Sequence, residues 1–486
     1  MVVDPRKTEL AELAHDHMQI KSGSDIALLN ALANVIIAED LWDKDFVQTR
    51  TEDFEAFKAM VAKYTPESVE KITGVPAETV KKVARGYAKA KNASILFTMG
   101  ITQHACGTHN VFANANLAML CGQIGKEFSG VNPLRGQNNV QGSCDMGALP
   151  VVFPGYQSVN SEENRAKFAR GWNVGEMPTN PGLTVGEMMD AAGHGEIKGM
   201  YIMGENPVLS DADANHVEKA LDKLDFLVVQ DIFLTETAQF ADVVLPATSF
   251  AEKEGTFTNT ERRVQRVRKA IAPVGNAKAD CEIISLVAAA LGYDMKYQSG
   301  AQVFDEMAKL TPSYGGMSHA RLEQGGLQWP CPTADHPGTP FLHKDKFTRG
   351  LGKFHAVEHV PPAEQPDAEY PLVLSTGRRL YHYHTSTMSA RTGTLEVAYG
   401  TEYLEMNCVD AEKYGICDGE MVRLSSRRGN VEVAVKITDK VKPGLVFTSF
   451  HYPAVPINKL TNPVTDPIAK IPEFKVCAAK VEKLNK

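Results

Sequence analysis

Apolar residues recur at helical spacing through much of the first hundred residues. Over residues 24–36 they return near the 3.6-residue period, and Ser24 or Asp25 can cap the helix that this pattern predicts. Residues 53–63 and 65–90 are predicted to be surface helices, with prolines marking two helix starts in the longer range. The pattern therefore favours a helix-rich N-terminal part.

Short apolar runs that end in glycine or in a polar turn alternate with helical segments further along. Residues 93–100 fit a buried parallel strand that leads toward a helix around 111–120, and residues 199–207 give another strand that ends in a polar turn. A helix at 215–224 and a strand at 225–231 complete a βαβ unit, and residues 241–246 supply a further strand. Ligands in open α/β sheets bind where the strands end, so these ends are candidate binding positions.

The pattern changes past residue 370, where short β-rich runs are separated by turns. Before it, residues 160–195 are polar and irregular and are interpreted as a surface excursion, and the proline-rich residues 330–340 are interpreted as a linker. The C-terminal runs predict a small barrel-like domain, with strands at residues 372–375, 421–424, 431–437 and 445–449.

Composition narrows the class of protein without naming a reaction. A net charge of −8 and a pI near 6.0 are unlike the basic surfaces that bind nucleic acids or anionic membranes. The longest largely apolar stretch, residues 283–291, is too short to span a bilayer. No two of the eight cysteines form a Cys-x-x-Cys pair, which argues against a zinc ribbon or an iron–sulfur cluster held by this chain. Scattered thiols and the lack of an apolar signal segment predict a cytoplasmic location.

Residues 131–147 carry the densest set of polar side chains. They include the guanidinium of Arg135, the carboxamides of Gln137 and Gln141, and three glycines, with almost no apolar periodicity. Such a loop exposes many hydrogen-bond donors and is costly to order, so it is typical of a site where a polar ligand takes up those donors. The alternative is a solvated surface loop.

The string RGQNNVQG, residues 135–142, resembles the loop that carries the active-site arginine in catalytic subunits of molybdenum or tungsten formate dehydrogenases. The resemblance extends along essentially the whole chain, through VVDPRKTE, MGITQ, YIMGENP, VVQDIFLTETA and EGTFTNTERRVQR. It implies an α/β fold with Rossmann-like doubly wound domains and a C-terminal β-barrel. The implied domains are residues 1–150, ending in the active-site loop, residues 151–340, a linker at 341–369 and the barrel at 370–486.

In that family the VVDPR segment follows a part of the chain that binds a [4Fe-4S] cluster and carries the selenocysteine or cysteine that ligates the metal. That part is absent from this sequence. Either a selenocysteine codon precedes the first methionine, which we favour, or the upstream part is a separate polypeptide. We therefore expect this chain, made alone, neither to hold the metal nor to oxidise formate.

The resemblance implies a bis-molybdopterin guanine dinucleotide cofactor with molybdenum or tungsten. Asp231 fits independently as an acid at a strand end that accepts hydrogen bonds from a nucleotide. Thr248 is a candidate because Ala247 stands where related enzymes have a hydroxyl, and the short motif around Asp280 makes that assignment weaker. The carried-over contacts are Asp4, Arg6, Met99, Gly100, Gln103, Gly136, Gln137, Gly204, Glu205, Asn206, Gln230, Asp231, Thr248, Asp280, Arg378, His382, Tyr383, Asn458 and Lys475. No residue of this chain is predicted to ligate a metal, and the paired histidines are interpreted as packing or surface residues.

Arg135 is predicted to be catalytic. A planar guanidinium can bind both oxygens of formate and direct its C–H bond toward the metal centre, whereas the alternative is a salt bridge to a cofactor phosphate. The resemblance implies oxidation of formate to CO₂ and an electron-accepting subunit with iron–sulfur clusters, a flavin or a deazaflavin. Two alternatives stay open: another bis-molybdopterin oxidoreductase of the nitrate type, and a non-catalytic cofactor-binding scaffold.

Overall fold

The computed structural model describes residues 1–484. The backbone forms two compact units. The first unit comprises Met1–Asn132, Pro207–Asn215 and Phe341–Lys486, and the second comprises Pro133–Asn206 and His216–Pro340. Among the described residues, no helix is both long enough and apolar enough to cross a membrane.

The N-terminal part of the first unit is mostly helical, as the periodicity predicts. Its helices are α1 (Glu9–Leu13), α2 (Asp25–Ala38), α3 (Lys44–Arg50), α4 (Phe54–Val61), α5 (Pro66–Thr73), α6 (Ala77–Lys89), α7 (Met99–Thr102) and α8 (Gly107–Leu120). Its strands are short: β1 (Val2–Val3), β2 (His17–Met18), β3 (Thr51–Glu52), β4 (Ser94–Phe97) and β5 (Gly130–Pro133).

Helix α2 is the centre of this part, packing against α4, α5, α6 and α8. Leu28, Ala31 and Ile36 are almost fully buried in a shared core, because the helix is apolar around most of its circumference. Ser24 stands at the N-cap position, but its Oγ donates to the carbonyl of Lys21 instead of capping the helix.

The second unit carries the parallel strands. Its elements, together with the two helices that follow β8, are α9 (Val140–Asp145), β6 (Val152–Phe153), β7 (Gln157–Ser158), α10 (Glu162–Trp172), α11 (Val185–Gly193), β8 (Gly199–Met203), α12 (Pro207–Ser210), α13 (Ala214–Leu221), β9 (Phe226–Asp231), β10 (Val243–Pro246), β11 (Gly255–Thr258), β12 (Arg263–Val267), α14 (Asp280–Ala290), α15 (Gly300–Leu310), α16 (His319–Leu322) and β13 (Leu327–Gln328). The sheet order is β10-β9-β8, all parallel, so the predicted βαβ unit is present.

Two local predictions are wrong. Residues 160–195 contain α10 and α11, whose starts are capped by Ser161 and by a Thr184–Glu187 capping box. Strand β4 is not buried, because it pairs only with β5 in a two-stranded sheet and its residues alternate between exposed and half-buried.

The predicted C-terminal barrel is confirmed. It closes in the order β15-β19-β16-β18-β17-β20, and its interior is packed with aliphatic side chains such as Leu374, Leu404 and Val422. The elements of this region are β14 (Gly352–Lys353), β15 (Leu372–Gly377), α17 (Thr394–Ala398), β16 (Tyr403–Met406), α18 (Cys408–Tyr414), β17 (Met421–Ser426), β18 (Gly429–Ile437), β19 (Leu445–Ser449) and β20 (Cys477–Lys483). The mixed α/β fold class with a barrel is therefore as expected.

Candidate functional site

Arg135 lies in the loop between β5 and α9, in the second unit. Its backbone N–H donates to Oγ1 of Thr260 at 3.1 Å, and its side-chain Nε donates to Oε1 of Gln141 at 3.3 Å. Within residues 1–484, no carboxylate forms an ion pair with its guanidinium. The two terminal nitrogens therefore have no carboxylate partner among the described residues.

The string at residues 254–263 supports this loop. The backbone N–H of Thr258 donates to Oδ1 of Asn139 at 2.9 Å, and Gly142 has no room for a Cβ atom beside that same oxygen. The side chain of Asn259 accepts hydrogen bonds from the backbone N–H groups of Glu261 and Arg263, which closes the turn after β11. These hydroxyl and amide groups therefore form a turn network that orders the Arg135 loop. Gly136 is exposed and Gln137 is half-buried beside it.

Gln230 and Asp280 form a polar chain where β9 ends and α14 begins. Nε2 of Gln230 donates to Oδ1 of Asp280 at 2.7 Å, while the hydroxyl of Tyr201 donates to Oε1 of Gln230. Lys253 forms an ion pair with the other oxygen of Asp280. Neither Tyr201 nor Lys253 was predicted as a site residue from the sequence. The one signal for Lys253 was its place next to the EGTF string.

Asp231 and Asn206 mainly organise their own loops. Oδ1 of Asp231 accepts the backbone N–H of Ile232 at 2.6 Å. Asn206 joins the end of β8 to the segment after β9, since its Oδ1 accepts from Oγ1 of Thr237 at 2.7 Å and its Nδ2 donates to Glu236 at 2.8 Å.

Gly204 and Thr248 lie just past the ends of the parallel strands β8 and β10, and each position is open to a further contact. Gly204 has a φ of +62°, and no atom lies within 4 Å of the point that a Cβ would occupy, so the space above it is open. Glu205 next to it is half-buried. Thr248 is buried, and its Oγ1 has no hydrogen-bond partner in the described part of the chain.

Arg6 and Asp4, in the first unit, lie in different surroundings. Arg6 makes a bidentate ion pair with Glu405, both hydrogen bonds being 2.8 Å, and its guanidinium lies 3.8 Å from the ring centroid of Phe447. Oδ1 of Asp4 accepts the backbone N–H of Arg6 at 2.8 Å. Burial raises the pKa of the Asp4 carboxyl, and the positive charges of Arg6 and Lys475 oppose that increase.

Arg378 and Lys475 form a cationic group in the first unit. The pKa of Lys475 is lowered to about 7, mainly by burial and also by repulsion from Arg378, while the charge of Asp4 opposes the shift. Nζ of Lys475 donates to the carbonyl of Thr376 at 2.6 Å. Burial also lowers the pKa of Arg378, whose guanidinium lies 5.1 Å from the ring centroid of Phe450 and makes no ion pair with any carboxylate in residues 1–484.

The remaining predicted residues of the first unit separate into open and packed positions. Met99 and Gly100 begin α7, with open space at Gly100, and the carbonyl of Gln103 accepts the backbone N–H of Lys475 at 3.4 Å. His382 is buried with both ring nitrogens in hydrogen bonds, to Ser389 at 3.1 Å and to the carbonyl of Tyr399 at 2.7 Å.

Tyr383 and Asn458 complete the predicted set. Tyr383 is partly exposed, and its backbone N–H donates to the hydroxyl of Ser389. Asn458 is buried and donates to the carbonyl of Leu209 at 2.7 Å. In the described residues, no three His, Cys, Asp or Glu side chains come together in a way that could hold a metal ion.

The donor set fits a pterin dinucleotide. The first unit offers two partly buried cationic side chains, Arg378 and Lys475. Arg378 has no carboxylate partner in the described residues, which suits the binding of a diphosphate. The second unit offers an unpaired buried hydroxyl at Thr248 and the open backbone at Gly204. The first unit thus offers charge for an anion, and the second offers polar and backbone groups at strand ends. The individual contacts stay predictions.

Replacing Lys475 with methionine is expected to flatten the pH dependence of stability. Because the folded pKa is about 7 and the ordinary value is 10.5, the unfolded chain binds more protons between these pH values. The free energy of unfolding of the wild type therefore rises with pH in this window, by up to about 1.4 kcal/mol per pH unit for one such group. Denaturant unfolding of the purified chain at several pH values between about 7.5 and about 9.5 measures the slope.

Lys480→Met is the control, because Lys480 lies on β20, which begins shortly after Lys475, and is a partly exposed lysine that pairs with Glu482 at 3.3 Å. Its slope should match that of the wild type. An unchanged slope in Lys475→Met would show that Lys475 keeps an ordinary pKa.

Comparisons with known proteins identify relatives along the whole chain. The family model described as Molybdopterin oxidoreductase matches residues 1–290, and the one described as Molydopterin dinucleotide binding domain matches residues 372–478. The F420-dependent formate dehydrogenase subunit alpha of Methanocaldococcus jannaschii is 51% identical, over 100% of this chain and 72% of that protein. Formate dehydrogenase H of Escherichia coli is 44% identical, over 99% of this chain and 68% of that protein.

A solved structure shares the fold. Acetylene hydratase from Pelobacter acetylenicus aligns with a TM-score of 0.74 at 20% sequence identity, covering 99% of this chain and 73% of its own. At that identity the match shows the fold alone. The family models and the two formate dehydrogenase relatives confirm the resemblance carried by RGQNNVQG and its companion strings. The chain therefore belongs to the molybdopterin oxidoreductase family, in the group that includes formate dehydrogenase alpha subunits.

Proposed function

We propose that this chain is a formate dehydrogenase catalytic subunit in which Arg135 binds formate. The observation that carries the proposal is the state of the Arg135 guanidinium. Its Nε is held by Gln141 at 3.3 Å, while no carboxylate in the described residues pairs with its terminal nitrogens. A cation held at one edge and open at the other is suited to a small carboxylate.

The reaction converts formate to CO₂, one proton and two electrons, with cleavage of the C–H bond. When bound, the bis-molybdopterin guanine dinucleotide centre, with molybdenum or tungsten, supplies the acceptor for the two electrons. The guanidinium of Arg135 neutralises the carboxylate, fixes the plane of formate through two parallel hydrogen bonds and so orients the C–H bond. Lysine would supply the charge without the orientation.

Two sets of polar groups, one in each unit, are proposed to hold the cofactor. In the second unit these are Gln230, Asp280, Thr248 and the backbone at Gly204, and in the first unit they are Arg378 and Lys475. Gln230 and Asp280 carry the amide and carboxylate that read the N–H edge of a purine, and the cations suit phosphate groups. Arg6 is the weakest of the proposed contacts, because its guanidinium is already paired with Glu405.

The electrons are proposed to pass to a partner subunit with iron–sulfur clusters, a flavin or a deazaflavin. Support for a deazaflavin comes from the relative of Methanocaldococcus jannaschii, which is described as F420-dependent. Formate oxidation and electron delivery would then take place in different polypeptides, as in an enzyme built from an alpha subunit and others.

The native holoenzyme, isolated without oxygen, is expected to reduce a viologen dye with formate. It should release one CO₂ for every two dye molecules reduced, because formate yields two electrons and each dye molecule accepts one. Anaerobic spectrophotometry measures the reduced dye, and mass spectrometry of the ¹³CO₂ released from ¹³C-formate measures the product. Replacing the dye with F420, a flavin or NAD then identifies the acceptor.

Nitrate with reduced dye is the control for the nitrate-type alternative, since nitrate is also a small planar anion that an arginine can bind. Oxidation of the dye by nitrate, with no response to formate, would reject formate as the substrate. Activity with neither anion would favour the scaffold alternative.

A further inference from the structure

A buried hydrogen-bond chain leads away from Arg135 into the interior of the second unit. Oε1 of Gln141 accepts from Nε of Arg135, and Nε2 of Gln141 donates to Oδ1 of Asp145 at 2.8 Å. Gln141 and Asp145 are four residues apart on α9, so they lie on the same face of the helix. Both are buried, Asp145 with none of its surface exposed.

The carboxylate of Asp145 accepts hydrogen bonds from several elements at once. Besides Gln141, its Oδ2 accepts from the hydroxyl of Tyr314, which follows α15, and from the indole Nε1 of Trp329 at 2.7 Å. Burial and the charge of Asp145 raise the pKa of the Tyr314 hydroxyl, so that group remains a donor. An indole N–H can only donate. Every partner of this carboxylate is therefore a donor, and only an acceptor at residue 145 satisfies all of them.

The direction of these hydrogen bonds fixes the orientation of the Gln141 carboxamide. Its Nε2 also donates to the hydroxyl of Tyr156 at 2.8 Å, so the amino end of the carboxamide is held by two acceptors. The carbonyl end must then face the opposite way, toward Nε of Arg135. An inverted carboxamide would set an N–H group against the N–H of Arg135 and would place its oxygen against the Asp145 carboxylate, losing that hydrogen bond, while the Tyr156 hydroxyl can accept or donate in either orientation.

We propose that Asp145 is a positioning residue for Arg135: it orients the carboxamide of Gln141, which in turn aims the guanidinium at formate. Asp145 does not touch the substrate. The inference rests on the proposed function of Arg135 as the formate-binding residue. Because a displacement of about 1 Å at a reacting group can cost about 100-fold in rate, a residue that acts only on the angle of a guanidinium can have a large kinetic effect.

Asp145→Asn tests this role by reversing one hydrogen bond with little change in shape. If the oxygen of the introduced asparagine accepts from Tyr314 and Trp329, its amino group faces the amino group of Gln141 and inverts that carboxamide. In the holoenzyme we expect kcat/KM for formate to fall by about 10- to 100-fold. A crystal structure of the variant is expected to show the Gln141 carboxamide inverted and the guanidinium of Arg135 displaced.

The decisive measurement is a double-mutant cycle with Arg135→Lys. A lysine has no Nε–H group for Gln141 to hold, so adding Asp145→Asn to Arg135→Lys should change kcat/KM by less than about 2-fold. Equal losses in the wild-type and Arg135→Lys backgrounds would mean that Asp145 only supports the fold, and the proposal would be overturned. No loss in the wild-type background would also overturn it.

Two further variants keep the test decisive. Gln141→Met removes the carboxamide between Asp145 and Arg135 but leaves Asp145 with its donors Tyr314 and Trp329, so it is the substitute if Asp145→Asn fails to fold. We expect the same fall in kcat/KM in the wild-type background and the same small change in the Arg135→Lys background. Asp410→Asn is the matched control, because Asp410 is a buried aspartate in the first unit that accepts the backbone N–H of Gly444 at 2.7 Å. Its kcat/KM should stay within about 2-fold of the wild type.

The same cycle separates this inference from the proposed function. If Arg135→Lys leaves the kinetics with formate unchanged, Arg135 does not bind formate, and both proposals fail. If Arg135→Lys impairs formate oxidation while Asp145→Asn and Gln141→Met do not, the proposed function stands and only the positioning role of Asp145 is rejected.

Discussion

Arg135→Lys is expected to lower kcat/KM for formate by about 30- to 1,000-fold in the holoenzyme. The lysine retains the positive charge but loses the planar pair of donors and the contact with Gln141. Charge-assisted hydrogen bonds are worth about 1.5–3 kcal/mol each, and each 1.36 kcal/mol corresponds to a factor of ten in rate. Steady-state kinetics with formate and a viologen dye measure the change.

The metal and pterin content of the same preparations distinguishes the two roles considered for Arg135. If Arg135 binds formate, the Arg135→Lys variant should keep its cofactor content near the wild-type value while its KM for formate rises. Cofactor loss without a change in KM would mean that Arg135 binds a cofactor phosphate. Arg268→Lys is the control, because Arg268 is an exposed arginine in the second unit that pairs with Glu323, and its kinetics should not change.

Arg379→Met is expected to destabilise the chain by about 3–5 kcal/mol. Arg379 lies against the barrel with its side chain 6% exposed, and it pairs with Glu402 at 2.9 Å and with Glu405 at 3.2 Å. It also donates to the carbonyl of Tyr403 at 2.8 Å. The variant would leave Glu402, whose side chain is fully buried, without a cation. Methionine keeps much of the apolar stem, so the loss reports mainly on the charge.

Denaturant unfolding of the purified chain, followed by tryptophan fluorescence and circular dichroism, measures the free energy of unfolding. The matched control is Arg423→Met, since Arg423 pairs with Glu432 at 3.6 Å on the exposed face of the same barrel. Its cost should be at most about 1 kcal/mol. Similar costs for the two variants would show that the buried ion network contributes no more than a surface pair.

The ion pairs of Arg379 with Glu402 and Glu405 also involve Arg6, which the family resemblance implied as a cofactor contact. Glu405 accepts hydrogen bonds from both Arg6 and Arg379, so the N-terminal segment and the barrel, which belong to the same unit, are joined through one carboxylate. Loss of Arg379 should therefore leave Glu405 with Arg6 as its remaining cation. This sharing explains why the expected cost comes mostly from Glu402.

Much of the fold was predictable from the sequence because it depends on local periodicity. Helical spacing located α2, α4, α5, α6 and α8, and apolar runs located β8, β9, β10 and most strands of the barrel. The misses have local causes too. The polar composition of residues 160–195 hid two helices whose apolar faces are narrow, and β16 and β20 lacked a distinct alternating pattern.

The sequence by itself determined the family, the kind of cofactor and the candidate arginines, because these depend on residue identity and order. Only the tertiary structure decided which cations remain available to a ligand. Arg6 is paired with Glu405, which lies 399 positions along the chain, while Arg135 and Arg378 meet no carboxylate in the described residues. In the sequence, these three residues are all arginines and cannot be told apart by their pairing. Ion pairing depends on distance in space, which separation along the chain does not specify, and so the fold pairs Arg6 but leaves Arg135 and Arg378 without a carboxylate in the described residues.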